Sequence, residues 1–171
     1  ILPVVEQLSD NVSDGSGQYC HWGATTQDIM DTADVIQIRE GFKLLSSDLD
    51  SISNALVKII NEHIKTPMAG RTHLQHALPV SFGYKASTWL SSIDRHIKRL
   101  EEIKARVFNL SFFGAAGTLA SLGEIDGLKT QSVLADELNL NVPDVSWHSI
   151  RDNFCEVTGW IALVGASLGK I

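Results

Sequence analysis

A single apolar stripe dictates the architecture of this chain. Ile38, Phe42, Leu45, Leu49, Ile52, Leu56 and Ile59 follow one another in alternating steps of four and three, the spacing that holds side chains on one face of an α-helix. The pattern predicts one helix from about Thr26 to Ile64, about 55–60 Å long at 1.5 Å per residue. Pro67 stands beyond its end, because the residue before a proline avoids helical backbone. A helix cannot bury such a stripe by itself. Each buried Leu, Ile or Phe contributes roughly 1.5–3 kcal/mol, so partner helices, from this chain or from other copies, are expected to cover it.

A second stripe (Phe82, Ala86, Trp89, Ile93, Ile97, Leu100, Ile103 and Val107) predicts a second long helix, with Pro79 in its first turn and an end near Asn109. Its charged far end (Glu101, Glu102, Lys104, Arg106) is expected to face solvent, as are His63 and His96. A short helix ending near Asp10 precedes a polar loop at 11–18. The glycine-rich stretch 114–127 is expected to form an ordered loop. A shorter helix is expected over about 128–138 and a last one from Val145 or Trp147 onward. No alternating strand pattern and no internal repeat is evident in the sequence. The expected fold is an all-α bundle of long helices, a single domain over 1–171.

The 171 residues are enough for one sizeable core. A net charge of −6 argues against a nucleic-acid partner, which calls for a clustered basic face. An anionic ligand would therefore need local positive partners. Cys20 and Cys155 lie in no CxxC or Cys/His spacing and are expected to be reduced thiols of a cytoplasmic protein. Apolar runs such as 160–164 are too short to span a membrane, and with no basic segment leading into an apolar one at the start, no secretion signal is expected. Both ends fall inside apolar-periodic stretches, so the chain is expected to be an internal segment of a longer protein.

Four runs carry chemistry. In His21-Trp22-Gly23-Ala24-Thr25-Thr26-Gln27-Asp28, a glycine turn leads two hydroxyls onto a helix start. The residues suit an N-cap, with Asp28 in the first turn. They suit a carboxylate site equally, because free N–H groups and the helix dipole favour an anion there. Gly70-Arg71-Thr72-His73-Leu74-Gln75 lies in the connection between the two long helices, where Arg71, Thr72 and Gln75 around an imidazole favour a polar pocket over a structural histidine. His73 and His76 lack the further ligands a metal site needs. Gly114-Ala115-Ala116-Gly117-Thr118 offers backbone N–H groups but not the Gly-Lys-Thr/Ser ending of a phosphate loop. Trp147-His148-Ser149-Ile150-Arg151-Asp152 offers Arg151 either to an anion or to an Arg–Asp pair early in a helix.

Together and in this order, the four runs resemble the fumarase/aspartase superfamily over essentially the whole chain. The stretch 21–32, with 114–123 and 147–152, is similar to the 3-carboxy-cis,cis-muconate cycloisomerase branch, and Gly70–Gln75 is shared more widely. The resemblance implies a helical bundle in a homotetramer, with active sites assembled from three subunits. It implies metal- and cofactor-free chemistry at a carbon next to a carboxylate of a small polycarboxylate. By the same resemblance Thr25 and Thr26 bind a substrate carboxylate with His21 alongside. Thr72, His73 and Gln75 form a second wall with His73 as proton donor, and Thr118 and Arg151 complete the anion contacts. The superfamily's serine loop, Gly-Ser-Ser-x-Met-Pro-x-Lys-x-Asn-Pro, has no counterpart in these residues, so the segment alone is expected to be inactive. An adenylosuccinate lyase and a non-catalytic helical assembly domain are the alternative readings.

Overall fold

A computed structural model describes residues 1–123 and 126–171 in full and residues 124 and 125 by their backbone alone. The element order is α1 (Leu2–Asn11), a 3-10 turn (Ser16–Tyr19), α2 (Thr26–Glu62), β1 (Pro67–Thr72), β2 (Gln75–Ser81), α3 (Phe82–Val107), α4 (Glu124–Leu138) and α5 (Asp152–Leu168). The fold is helical, as the stripes require, with one small hairpin added. Two compact units are present, one comprising 1–39 and 105–153 and the other 40–104 and 154–171. No helix among the described residues is long and apolar enough to cross a membrane.

In α2, a 37-residue helix, Val35, Phe42, Leu49 and Leu56 are buried at steps of seven, whereas Leu45, Ile52 and Ile59 of the same stripe are half-buried. In the second unit, Ile93, His96, Leu100 and Ile103 of α3 are buried, and Phe42 meets Trp160 of α5 edge-on at 5.3 Å. Ile93 is 0% exposed. Ile93→Ala is therefore expected to destabilise by about 2–5 kcal/mol, the transfer loss plus a cavity, measured as a drop in the chemical denaturation midpoint.

His96 corrects an expectation. It is 3% exposed rather than on the surface, because 93, 96, 100 and 103 form the true inward row and the sequence reading gave that row to Ile97. Arg99 Nη1 donates to its Nδ1 (3.3 Å), so Nε2–H donates to Ser167 Oγ (2.8 Å), and its carbonyl accepts from Trp160 Nε1 (3.1 Å). Burial, then the charges of Arg99 and Arg95, hold this imidazole below its ordinary value. A base with a depressed folded value contributes stability that is full above its unfolded value of about 6.5 and falls away as pH drops through that range. His96→Gln keeps a donor for Ser167 without the titration. Its melting temperature is expected to fall less between pH 7 and pH 5 than that of the unmodified protein.

The 67–81 connection is a second correction. β1 and β2 pair antiparallel, Thr72 opposite Gln75, with a bulge between Ala69 and Arg71. The strands are exposed on both faces over most of their length, so they carry no hydrophobic alternation to betray them. Pro79 lies within β2, and α3 starts later than expected, where Ser81 Oγ accepts the Tyr84 N–H (3.1 Å). By contrast α4 begins earlier than expected, at Glu124, and α5 later, at Asp152.

Candidate active site

The first unit is organised around one carboxylate. Asp28, in the first turn of α2, is 0% exposed. Five donors from the described residues converge on it. Oδ2 accepts from the backbone N–H groups of Thr25 (3.0 Å) and Gly114 (2.9 Å). Oδ1 accepts from Ser111 Oγ (3.2 Å), the Phe113 N–H (3.1 Å) and His148 Nε2 (2.6 Å). The Thr25 contact is half of a capping box, so the N-cap reading of this run holds. The other four donors exceed anything a cap requires.

The buried segment 110–114 explains why so many donors are available. It is neither helix nor ladder strand, so its backbone groups must be matched elsewhere. Thr32 Oγ1 donates to Ser111 O (2.9 Å) and accepts from Ser111 N (3.0 Å). Gln131 Nε2 donates to Phe112 O (2.8 Å), and Trp147 Nε1 to Leu110 O (2.9 Å). Gly114 has φ 75°, and a Cβ there would stand 2.8 Å from the Gly23 carbonyl oxygen. The backbones of the first and third runs therefore touch where only glycine fits.

One helical turn beyond Asp28, Asp31 repeats the arrangement. Arg151 Nη1 and Nη2 donate to its two oxygens at 2.6 and 2.9 Å, and Gln27 Nε2 bridges Asp31 Oδ2 (3.2 Å) and His148 O (2.7 Å). The hydrogen bonds to Asp31 raise the already high value of the Arg151 guanidinium, and its charges and those of Asp34 add to this. Arg151 precedes α5 rather than lying inside it, and its fork is held by Asp31 rather than by Asp152. Asp28 and Asp31 at i, i+3 thus meet His148 and Arg151 at i, i+3. That matched spacing stands in the sequence, where Asp28 suits a cap and no local pattern marks Asp31, Ser111 or His148.

The remaining candidates divide between the two units. His21 has φ 63° and a buried Nε2 with no hydrogen-bond partner among the described residues. Thr25 is half-buried and Thr26 exposed at the start of α2, and neither hydroxyl has a hydrogen-bond partner among the described residues. Thr118 is exposed and lines a cavity of about 360 Å³ with Phe113, Gly117 and Ser146. These four, with Arg151, belong to the first unit. Thr72, His73 and Gln75 belong to the second, at the tip of the hairpin, where all three are exposed. His73 (φ 46°) and Leu74 (φ 62°) both hold left-handed backbone, as a two-residue turn of the I′ type demands.

A family model described as "Lyase" matches residues 5–171. Trans-aconitate decarboxylase 1 of Mycosarcoma maydis is 44% identical over 171 residues, covering 100% of this chain and 34% of its own length. The 3-carboxy-cis,cis-muconate cycloisomerase of Pseudomonas aeruginosa is 42% identical over 172 residues, covering 99% of this chain and 37% of its own. The crystal structure of a fumarate lyase from Mesorhizobium sp. BNC1 superposes with a TM-score of 0.94 at 59% identity, covering 99% of this chain and 40% of that one. The chain thus spans a little over a third of the length of the relatives it matches. Four motif runs in one order, a helical fold and a family match over nearly every residue lead to one conclusion: this chain belongs to the lyase family of the fumarase/aspartase superfamily.

Proposed function

We propose that this chain is part of a longer cytoplasmic enzyme that performs elimination, or the reverse addition, next to a carboxylate of a small unsaturated polycarboxylate. The specific reading is lactonisation of 3-carboxy-cis,cis-muconate in aromatic catabolism. One observation carries it. Asp28 ties the first, third and fourth runs into one buried framework while the Thr25 and Thr26 hydroxyls, at the positive end of a 37-residue helix, keep their donors free for a carboxylate. In the lactonising direction a substrate carboxylate oxygen forms a C–O bond at one alkene carbon. The π pair takes a proton at the carbon next to the other carboxylate. That intermediate charge needs anchored donors and a placed proton source, the latter assigned to His73.

The apolar residues left exposed in the second unit, Leu44 and Val57 of α2 and Ile161 and Leu163 of α5, support a homotetramer that buries them, with active sites shared among subunits. A decarboxylase relative acting on trans-aconitate, itself an unsaturated tricarboxylate, supports the substrate class while leaving a second reaction, decarboxylation, in play. Adenylosuccinate cleavage is the weaker reading, since no purine or phosphate pocket suggests itself among the residues described.

The test uses the full-length protein with 3-carboxy-cis,cis-muconate, trans-aconitate and adenylosuccinate in parallel. Loss of the muconate diene absorbance without added metal or cofactor is the expected result. Release of CO₂ from trans-aconitate alone, or turnover of adenylosuccinate alone, would replace the cycloisomerase reading.

A further inference from the structure

The cavity bordered by Thr118 has polar groups that the Asp28 framework does not use. It measures about 360 Å³, within the range of small-molecule sites, and the residues lining it all belong to the first unit. Phe113, Leu119, Leu128, Val142, Pro143 and Val145 give it apolar walls. Gln131, also in the lining, is 3% exposed. Its Nε2 donates to Phe112 O (2.8 Å), which fixes the orientation of the amide, and its Oε1 has no partner among the described residues. A side chain buried to this degree seldom leaves a polar atom unpaired, so the cavity is where a donor for Oε1 belongs. The hydroxyls of Thr118 and Ser146, in the same lining, also have no partner among the described residues.

Charge narrows the occupant. Among the described residues that line the cavity, Asp144 alone is charged, and none is Lys, Arg or His. Thr118, an anion contact by resemblance, therefore opens onto a space that disfavours a carboxylate. Gln131 Oε1 and Asp144 can only accept hydrogen bonds, while the two hydroxyls can donate or accept. An ammonium group answers that set, with three donors and no acceptor. We propose that this cavity is a binding site for a small protonated amine, its apolar body against Phe113 and Leu119 and its NH₃⁺ toward Gln131 Oε1 and Asp144. Neither Thr25 nor Thr26 lines the cavity, so the site stands or falls independently of the carboxylate reading. Its occupant would still touch the Asp28 framework, because the Phe113 N–H donates to Asp28 Oδ1 (3.1 Å) and Gln131 holds Phe112.

The probes are three molecules of one shape, benzylamine, benzyl alcohol and benzoate. Each is offered to the full-length protein at pH 7.5 and followed by saturation-transfer difference NMR, in which the ligand's own signals report binding. Benzylamine is expected to bind, benzyl alcohol to bind more weakly, and benzoate not to bind. Asp144→Asn keeps the shape of an exposed side chain and removes its charge. It is expected to raise the dissociation constant of benzylamine about two- to fivefold, the range for an exposed ion pair, and to leave that of benzyl alcohol unchanged. Leu128→Trp, at a residue 65% exposed, adds bulk to the cavity without loading the core and is expected to weaken both ligands. Benzylamine that does not bind, or that binds both variants as tightly as the unmodified protein, would overturn the site. Benzoate binding as tightly as benzylamine would overturn the amine as its occupant.

Discussion

Replacing Asp28 with alanine is expected to cost about 3–5 kcal/mol, the range for removing one partner of a fully buried charged network. The substitution strands the N–H groups of Phe113 and Gly114, the Thr25 cap, the Ser111 hydroxyl and His148 Nε2 around a position that is itself 0% exposed. Asp28→Asn repairs it only in part. An amide can accept at one oxygen, but its NH₂ then faces backbone N–H groups that need an acceptor. Both variants are expected to lower the denaturation midpoint, alanine more than asparagine. A midpoint within experimental error of the unmodified protein for Asp28→Ala would show that the carboxylate is not the keystone of the first unit.

The second large effect concerns turnover. His73→Asn in the full-length protein is expected to lower kcat by about 10²–10⁴, the range for losing a general acid or base, with little change in stability. Asparagine is chosen because it tolerates left-handed backbone, and His73 sits at φ 46° at the tip of a solvent-exposed turn. The substitution therefore removes the imidazole without unfolding the hairpin. The neighbouring residue provides the control. Leu74 is fully exposed at φ 62°, so Leu74→Gly is expected to relieve about 1–2 kcal/mol of backbone strain. Loss of turnover in both variants would implicate the shape of the turn. Loss in His73→Asn alone would implicate the imidazole.

What the sequence makes legible follows from periodicity. Phe42, Leu49 and Leu56 of the α2 stripe are buried, because a long helix repeats its signal often enough to be unambiguous. The hairpin is invisible for the opposite reason. Its strands are solvated on both faces, and its turn is made by His-Leu rather than the Asn-Gly that announces a type I′ loop. His96 goes astray because a row one residue away, through Ile97, looks equally good when hydrophobicity alone is counted.

The framework of the first unit is legible as three polar runs but not in the way they join. The bond that joins two of them, His148 to Asp28, links residues 120 positions apart. No local pattern carries a contact of that separation. The matching i, i+3 spacing of Asp28 with Asp31 and of His148 with Arg151 is the trace it leaves. Arg151 illustrates the cost of reading runs singly. As an isolated cation it suits an anion, yet its fork is already closed on Asp31 at 2.6 and 2.9 Å, and its replacement by lysine would lose the bidentate geometry.

The carboxylate site proposed at the start of α2 is tested most directly by the Michaelis constant of the full-length protein for 3-carboxy-cis,cis-muconate, compared with that of the Thr25→Val/Thr26→Val variant. Valine leaves intact the backbone bonds from Thr25 to Asp28 and back, so the fold is expected to hold and only the two hydroxyls are lost. A rise in KM of about tenfold or more is the result the account requires, the usual effect of losing a hydrogen bond to a charged group. A variant that turns the substrate over with an unchanged KM would contradict it.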